Sequence, residues 1–284
     1  MKIVVMGGSG LVGSKLTDRL SLQGHEVIAA SRRTGVDAVT GQGLDETLRG
    51  AQVLVDVTNA PSFEDPLVSD FFRRASDNLL AAAERASVQH YLALSVVGTP
   101  RLQTSAYFRA KAIQEQLVGQ GRVPYTLLQA TQFYEFMANI IPPGSGRDLV
   151  RLSPAQVQPV AANDVADVLA QLVVARPAQC TLEMAGPERY RLCELVEWVM
   201  YSYQDDRPVV ADPTVRYYDG ELHDDTLTPD APALFGTTPF AQWLDGYLNG
   251  SIRIPRVNHP NPLARANQAL STAVPAAGGE GGPQ

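Results

Sequence analysis

Cysteine is almost absent from this 284-residue chain, with Cys180 and Cys193 as its only two. That count excludes a disulfide framework and a cysteine-rich zinc cluster, and it fits a reducing, cytoplasmic protein. Lysine is nearly as scarce, with three residues at positions 2, 15 and 111 among 23 basic side chains. The formal net charge is −7. Nucleic-acid surfaces rely on clustered Lys and Arg, so none is expected here. No apolar run reaches the ~20 residues needed to span a bilayer, so no membrane partner is expected either. The opening "MKIVVMGGSG" has a lysine before an apolar run, but that run ends in glycines too soon for a signal peptide.

What the chain does have is an ordinary globular balance, 45% hydrophobic and 19% charged, long enough for a large domain with a smaller partner. "KIVVM" reads as a buried strand, and "LVGSKLTDRLSLQG" after it has helical apolar spacing at Leu11, Leu16 and Leu20. "EVIAAS", "AQVLVDVTN", "HYLALSVVG" and "YTLLQAT" read as further strands, separated by helices in "DETLRG", "DPLVSDFFRRASDNLLAAAERASV" and the stretch from Tyr107 to about Val118. This alternation predicts an α/β fold, a doubly wound parallel sheet of Rossmann type. Residues 1–136 are expected to form the dinucleotide-binding domain. Residues 137–254 are expected to form a smaller, interleaved C-terminal substrate region with segments returning to the sheet. Residues 255–284, rich in Pro, Gly and Ala, read as a disordered tail.

"GGSGLVG" places Gly7, Gly10 and Gly13 between the first strand and the first helix, with Ser9, Leu11 and Val12 between them. Glycine there permits a tight turn, close backbone approach to a pyrophosphate and tight helix–strand packing. The exposed N–H groups and the positive helix end favour the phosphate charge. At the end of the second strand, where an NAD site carries an acid, stand Ser31, Arg32 and Arg33. A guanidinium pairs with a 2′-phosphate, and no acidic residue is expected to compete, so NADP(H) is preferred over NAD(H).

Tyr107 and Lys111 lie four apart on one helix face. The lysine can contact cofactor ribose hydroxyls while its charge lowers the tyrosine pKa. Such a tyrosine can protonate a carbonyl oxygen as hydride arrives, with Ser95 at a strand end holding the same oxygen.

Taken together, "GGSGLVG", "AASRR", "VDVTNAPS", "LSVVG", "YFRAK" and "PYTLLQATQFYEF" resemble the short-chain dehydrogenase/reductase superfamily. The closest likeness is to its atypical NmrA-like and epimerase-like members, over residues 1 to about 250. The resemblance implies pyrophosphate binding by Gly7, Ser9, Gly10 and Gly13, and 2′-phosphate binding by Arg32. It implies that Thr58, Asn59 and Ala60 pass near the adenosine ribose and diphosphate. It gives Lys111 the nicotinamide ribose, Tyr107 the proton and Ser95 a supporting role, with Ala130, Thr131 and Phe133 along the nicotinamide. Gln129 stands where many relatives carry Arg. Many NmrA-like relatives lack the tyrosine and act as cofactor sensors, so Tyr107 favours an enzyme.

Val96, Phe133, Tyr134, Phe136, Met137, Tyr217 and Tyr218 are expected to wall a pocket for an apolar or aromatic molecule. Asn78, His25 and His90 read as structural, Glu115 as an i,i+4 partner of Lys111, and His223 as part of a solvated loop with no metal expected. The function expected is an NADPH-dependent reductase of a carbonyl, enone or quinone-like group. The alternatives are a non-enzymatic NADP(H) sensor and a non-redox epimerase or cyclase. The long helices allow pairing into a homodimer.

Overall fold

A computed structural model describes residues 1–141, 148–230 and 233–252. The expected tail from residue 255, and most of the turn-rich "IIPPGSGRD" stretch, lie outside the described residues. The first half runs β1 (Lys2–Met6), α1 (Leu11–Leu22), β2 (Glu26–Ala30), α2 (Leu44–Leu48), β3 (Val53–Asp56), α3 (Leu67–Arg85), β4 (His90–Val96), α4 (Ala106–Gln120) and β5 (Tyr125–Ala130). A 3-10 turn follows at Tyr134–Ile140. Then come β6 (Val150–Leu152), β7 (Gln156–Val157), α5 (Ala162–Val174), β8 (Thr181–Ala185), β9 (Tyr190–Arg191), α6 (Leu192–Ser202), β10 (Val209–Ala211), β11 (Leu234–Phe235) and α7 (Phe240–Leu248).

Seven strands form one parallel sheet in the order β2-β1-β3-β4-β5-β8-β11. Strands covered on both faces read as continuous apolar runs, which is why "KIVVM" and "VLV" carry no polar alternation. Successive side chains still point to opposite faces. Ile3 and Val5 pack with Leu16, Leu20, Val165 and Leu169 under α1 and α5. Val4 and Met6 pack with Leu48, Leu79, Ala82 and Val118 under α2, α3 and α4. Leu16 and Leu20 are fully buried, each worth roughly 1.5–3 kcal/mol of transfer free energy.

The later residues are woven into this frame. β8 and β11 extend the main sheet beyond β5, and α5 shares a core with α1. A separate core of Tyr134, Met137, Leu152, Leu195, Phe240 and Trp243 lies beside the sheet. Glu135 ties the two together, accepting from the Ala162 N–H at 3.2 Å and from the Trp243 indole at 3.3 Å. Asp164 accepts from the N–H and hydroxyl of Thr238 at 2.9 and 2.8 Å, anchoring the approach to α7. Among the described residues no helix is long and apolar enough to cross a membrane.

Candidate cofactor and active site

The chain leaves β1 for β2 on one side and β3 on the other, so a crevice opens at the carboxyl ends of these strands. A cleft of about 1460 Å³ lies there and runs from Arg32 and Arg33 to Tyr217 and Tyr218. At its floor the β1–α1 turn is held by the Gly7 N–H on Ala30 O and the Gly10 N–H on Gly7 O, both at 2.9 Å. Gly7 sits at φ +88°, in the left-handed region, and a Cβ there would meet Val57 O at 2.8 Å. Gly13 is buried within α1, where a Cβ would stand 2.2 Å from Gly7 O. It packs the helix onto the turn rather than lining the cleft, whereas Gly7, Ser9, Gly10, Leu11 and Val12 line it. No acidic residue stands in the first turn of α1. The turn therefore offers N–H groups and a positive helix end with no competing charge, which fits a pyrophosphate.

Ser31, Arg32 and Arg33 line the β2 end of the cleft, both arginines exposed. The Ser31 hydroxyl is buried without a hydrogen-bond partner. Contrary to the expectation that no acid would compete, Asp37, in the loop after β2, lines the cleft, as does Asp70 of α3. The Asp37 carboxylate accepts from the Val39 and Thr40 N–H groups at 2.7 and 3.2 Å, so it is partly committed to its own loop. Asn78 holds the same loop by donating to Ala38 O and Val39 O, both at 2.9 Å. Arg74, on α3, also lines the cleft, and nothing in its local sequence marks it. Thr58 and Asn59 line the β3 side. Ala60 does not; it is buried with Val68, Phe72 and Ala110, because the chain turns inward there to begin the approach to α3.

Beyond β4 the cleft is walled by Ser95, Val96, Tyr107 and Lys111, and beyond β5 by Ala130, Thr131 and Phe133. These residues meet because β4 and β5 are in register, Ser95 opposite Gln129 and Val96 opposite Ala130, with α4 returning across them. Their polar atoms are arranged differently from the expectation. The Ser95 hydroxyl donates to Glu115, which also accepts from Gln129 at 2.8 Å, so Glu115 serves two strand residues. Lys111 donates to Leu94 O at 2.9 Å and to Gln114, and its ammonium lies 4.6 Å over the Phe72 ring.

Tyr107 lies among aromatic rings, 4.5 Å from Phe63, 5.7 Å from Phe108 and 6.2 Å from Phe72 between centroids. Burial, with Tyr218 nearby, pushes its phenol pKa upward, the reverse of the expected lowering by Lys111. Burial likewise draws Lys111 down to about 8, opposed by Asp56 and Glu115. The phenol is therefore held protonated at neutral pH.

Phe136, Met137, Tyr217 and Tyr218 line the outer cleft, joined by Phe63 and Ile140. Tyr134 points elsewhere: it packs on Phe240 and Trp243 at 5.2 and 5.5 Å, its hydroxyl near Thr238 O at 3.3 Å. Phe133 and Phe136 stack on each other at 5.8 Å and line the cleft instead. Gln132, passed over in the sequence, lines the cleft, and both atoms of its carboxamide lack partners. His90 is buried against the Thr126 hydroxyl at 2.9 Å, far from chemistry.

A family model described as NAD(P)H-binding matches residues 7–176. The photosystem II assembly factor Ycf39 of Synechocystis sp. is 23% identical over 150 residues, covering 48% of this chain and 46% of that protein. The chain thus matches about half the length of that relative. A short-chain dehydrogenase/reductase superfamily protein from Agrobacterium tumefaciens, solved with NAD, superposes with a TM-score of 0.67 at 15% identity, covering 96% of this chain and 99% of that one. An NADPH-dependent quinone oxidoreductase from Escherichia coli gives 0.63 at 15% identity over 87% and 100% of the two chains. A dTDP-4-dehydrorhamnose reductase from Bacillus anthracis, solved with NADP, gives 0.62 at 11% identity over 95% and 99%. At such identities the structures speak for the fold alone. With the family match over more than half its length, the chain belongs to the NAD(P)H-binding family.

Proposed function

We propose that the protein is an NADPH-dependent reductase of a carbonyl, enone or quinone-like group on a small hydrophobic or aromatic molecule. The observation that carries this reading is Tyr107, whose side chain walls the same cleft as Lys111, Ser95 and the glycine turn, next to an aromatic outer end. Arg32 and Arg33 would take the 2′-phosphate. The turn at Gly7–Gly10 would take the pyrophosphate, and Lys111 the nicotinamide ribose. NADPH, when bound, would supply the hydride. Tyr107 would give its proton to the substrate oxygen as negative charge develops there, and would recover a proton from solvent. Phe63, Tyr217 and Tyr218 would exclude water and stack on a flat substrate.

The test is Tyr107→Phe, assayed with a panel of quinones, enones and aromatic ketones. Turnover should fall by about 10²- to 10⁴-fold while NADPH binding stays near wild type. Full turnover in the variant would remove Tyr107 as the acid. A second reading, a cofactor sensor, draws support from the Ser95 hydroxyl being committed to Glu115 rather than free to hold a substrate oxygen. Tight NADPH binding with no hydride transfer across that panel would favour it.

A further inference from the structure

Behind the cleft wall runs a chain of buried polar groups that the proposed reaction does not use directly. Asp56, at the end of β3, is 1% exposed, as is Gln114, and Lys111 is 3% exposed. Asp56 Oδ2 accepts from Gln114 Nε2 at 2.9 Å and from the Tyr91 hydroxyl at 3.2 Å. Its Oδ1 accepts from the N–H and hydroxyl of Thr58 at 3.0 and 2.7 Å. Gln114 Oε1 accepts from the Lys111 ammonium, which also donates to Leu94 O. The amide of Gln114 is thereby fixed in one sense, its donor end on the acid and its acceptor end on the cation. Four donors surround the carboxylate, which is what an ionised acid needs when buried.

We propose that Asp56, acting through Gln114, is the positioning group for Lys111: it fixes where the ammonium sits and keeps it charged toward the cleft. The same carboxylate holds Thr58, on the β3 side of the cleft, so one acid braces the site at two points. The role of Lys111 toward a cofactor ribose rests on the function proposed above. The coupling between Asp56 and Lys111 is a property of the chain alone.

The charges and rings around the ammonium are few. Asp56 faces it from β3 through the amide, Glu115 lies on its own helix, Tyr91 reaches Asp56 from β4, and Phe72 of α3 lies beneath it. Burial disfavours the ammonium, while Asp56 and Glu115 oppose that effect, Asp56 more strongly. Neutralising Asp56 leaves Glu115 as the opposing acid, so the lysine should lose its proton at lower pH.

The chain has only three lysines, which makes the test direct. In full-length protein labelled with ¹³C-lysine, the side-chain Cε signals of Lys2, Lys15 and Lys111 can be followed against pH, with Lys111→Met to assign the third. Asp56→Asn should lower the Lys111 midpoint by about one pH unit or more, and Gln114→Leu should move it the same way. Above both midpoints, a one-unit shift should weaken NADPH binding about tenfold. An unchanged Lys111 midpoint in the folded variants would overturn the proposal, and if Asp56→Asn does not fold, Gln114→Leu decides it alone. Should the wild type bind no NADPH, the functional reading falls while the titration still judges the coupling.

Discussion

Gly13 and Gly119 both lie within helices, yet adding one methyl group should move stability in opposite directions. In each case alanine gains about 0.5–1 kcal/mol over glycine from backbone entropy. At Gly119, near the end of α4, the new Cβ would meet the Tyr125 hydroxyl at 3.6 Å, an ordinary contact. Gly119→Ala should therefore raise the melting temperature by about 1–4 °C. At Gly13 the Cβ would stand 2.2 Å from Gly7 O and 2.8 Å from Gly7 C and Gly8 Cα. All three are backbone atoms and cannot swing aside. Overpacking of this kind costs about 1–3 kcal/mol and occasionally more, which outweighs the entropy gain. Gly13→Ala should lower the melting temperature by roughly 2–8 °C and weaken NADPH binding, because the turn must shift to admit the methyl. Thermal denaturation followed by circular dichroism, with NADPH fluorescence titration, measures both. A Gly13→Ala protein as stable as wild type would refute the close approach of α1 to the turn.

Two further outcomes follow from the site and its supports. Arg32→Ser should weaken NADPH binding by roughly 10- to 100-fold, the range for a lost charge-assisted hydrogen bond, and leave NADH binding unchanged; equal losses for both would place Arg32 outside any 2′-phosphate contact. Trp243, 3% exposed and stacked on Tyr247 at 5.6 Å, also donates to Glu135, whose pKa is already raised by burial. Trp243→Ala should cost about 3–5 kcal/mol and lower the melting temperature by roughly 6–20 °C, and a shift within a degree or two of wild type would contradict that packing.

The parallel sheet and the glycine turn were legible because their signals are local: β-branched runs, glycine spacing and helical periodicity need no knowledge of distant residues. The polar wiring was not. Tyr107 and Lys111 share a helix face as their spacing requires, but the phenol pKa is raised by burial among residues from other segments, Phe63 and Tyr218 among them. The partner of Ser95 is Glu115, twenty residues on, and no spacing rule links a strand residue to that helix turn. Tyr134 leaves the expected cleft wall because its ring packs on Phe240 and Trp243 of α7, about a hundred residues on, which no local pattern reveals. Asp56 did leave a mark, an acid closing a buried strand in "VLVD", but its bond to Gln114 depends on how α4 packs over β4.

The position of β8 has a consequence for how this chain can be made. β5 has β4 on one side and β8 on the other, and the underside of α1 shares its core with α5. During synthesis the first 136 residues would emerge with β5 as a bare edge and with apolar surface on α1 uncovered, an invitation to wrong pairing. Closure waits until residue 185 has left the ribosome. A truncated gene ending at β5 would therefore yield an aggregation-prone fragment instead of a working cofactor module.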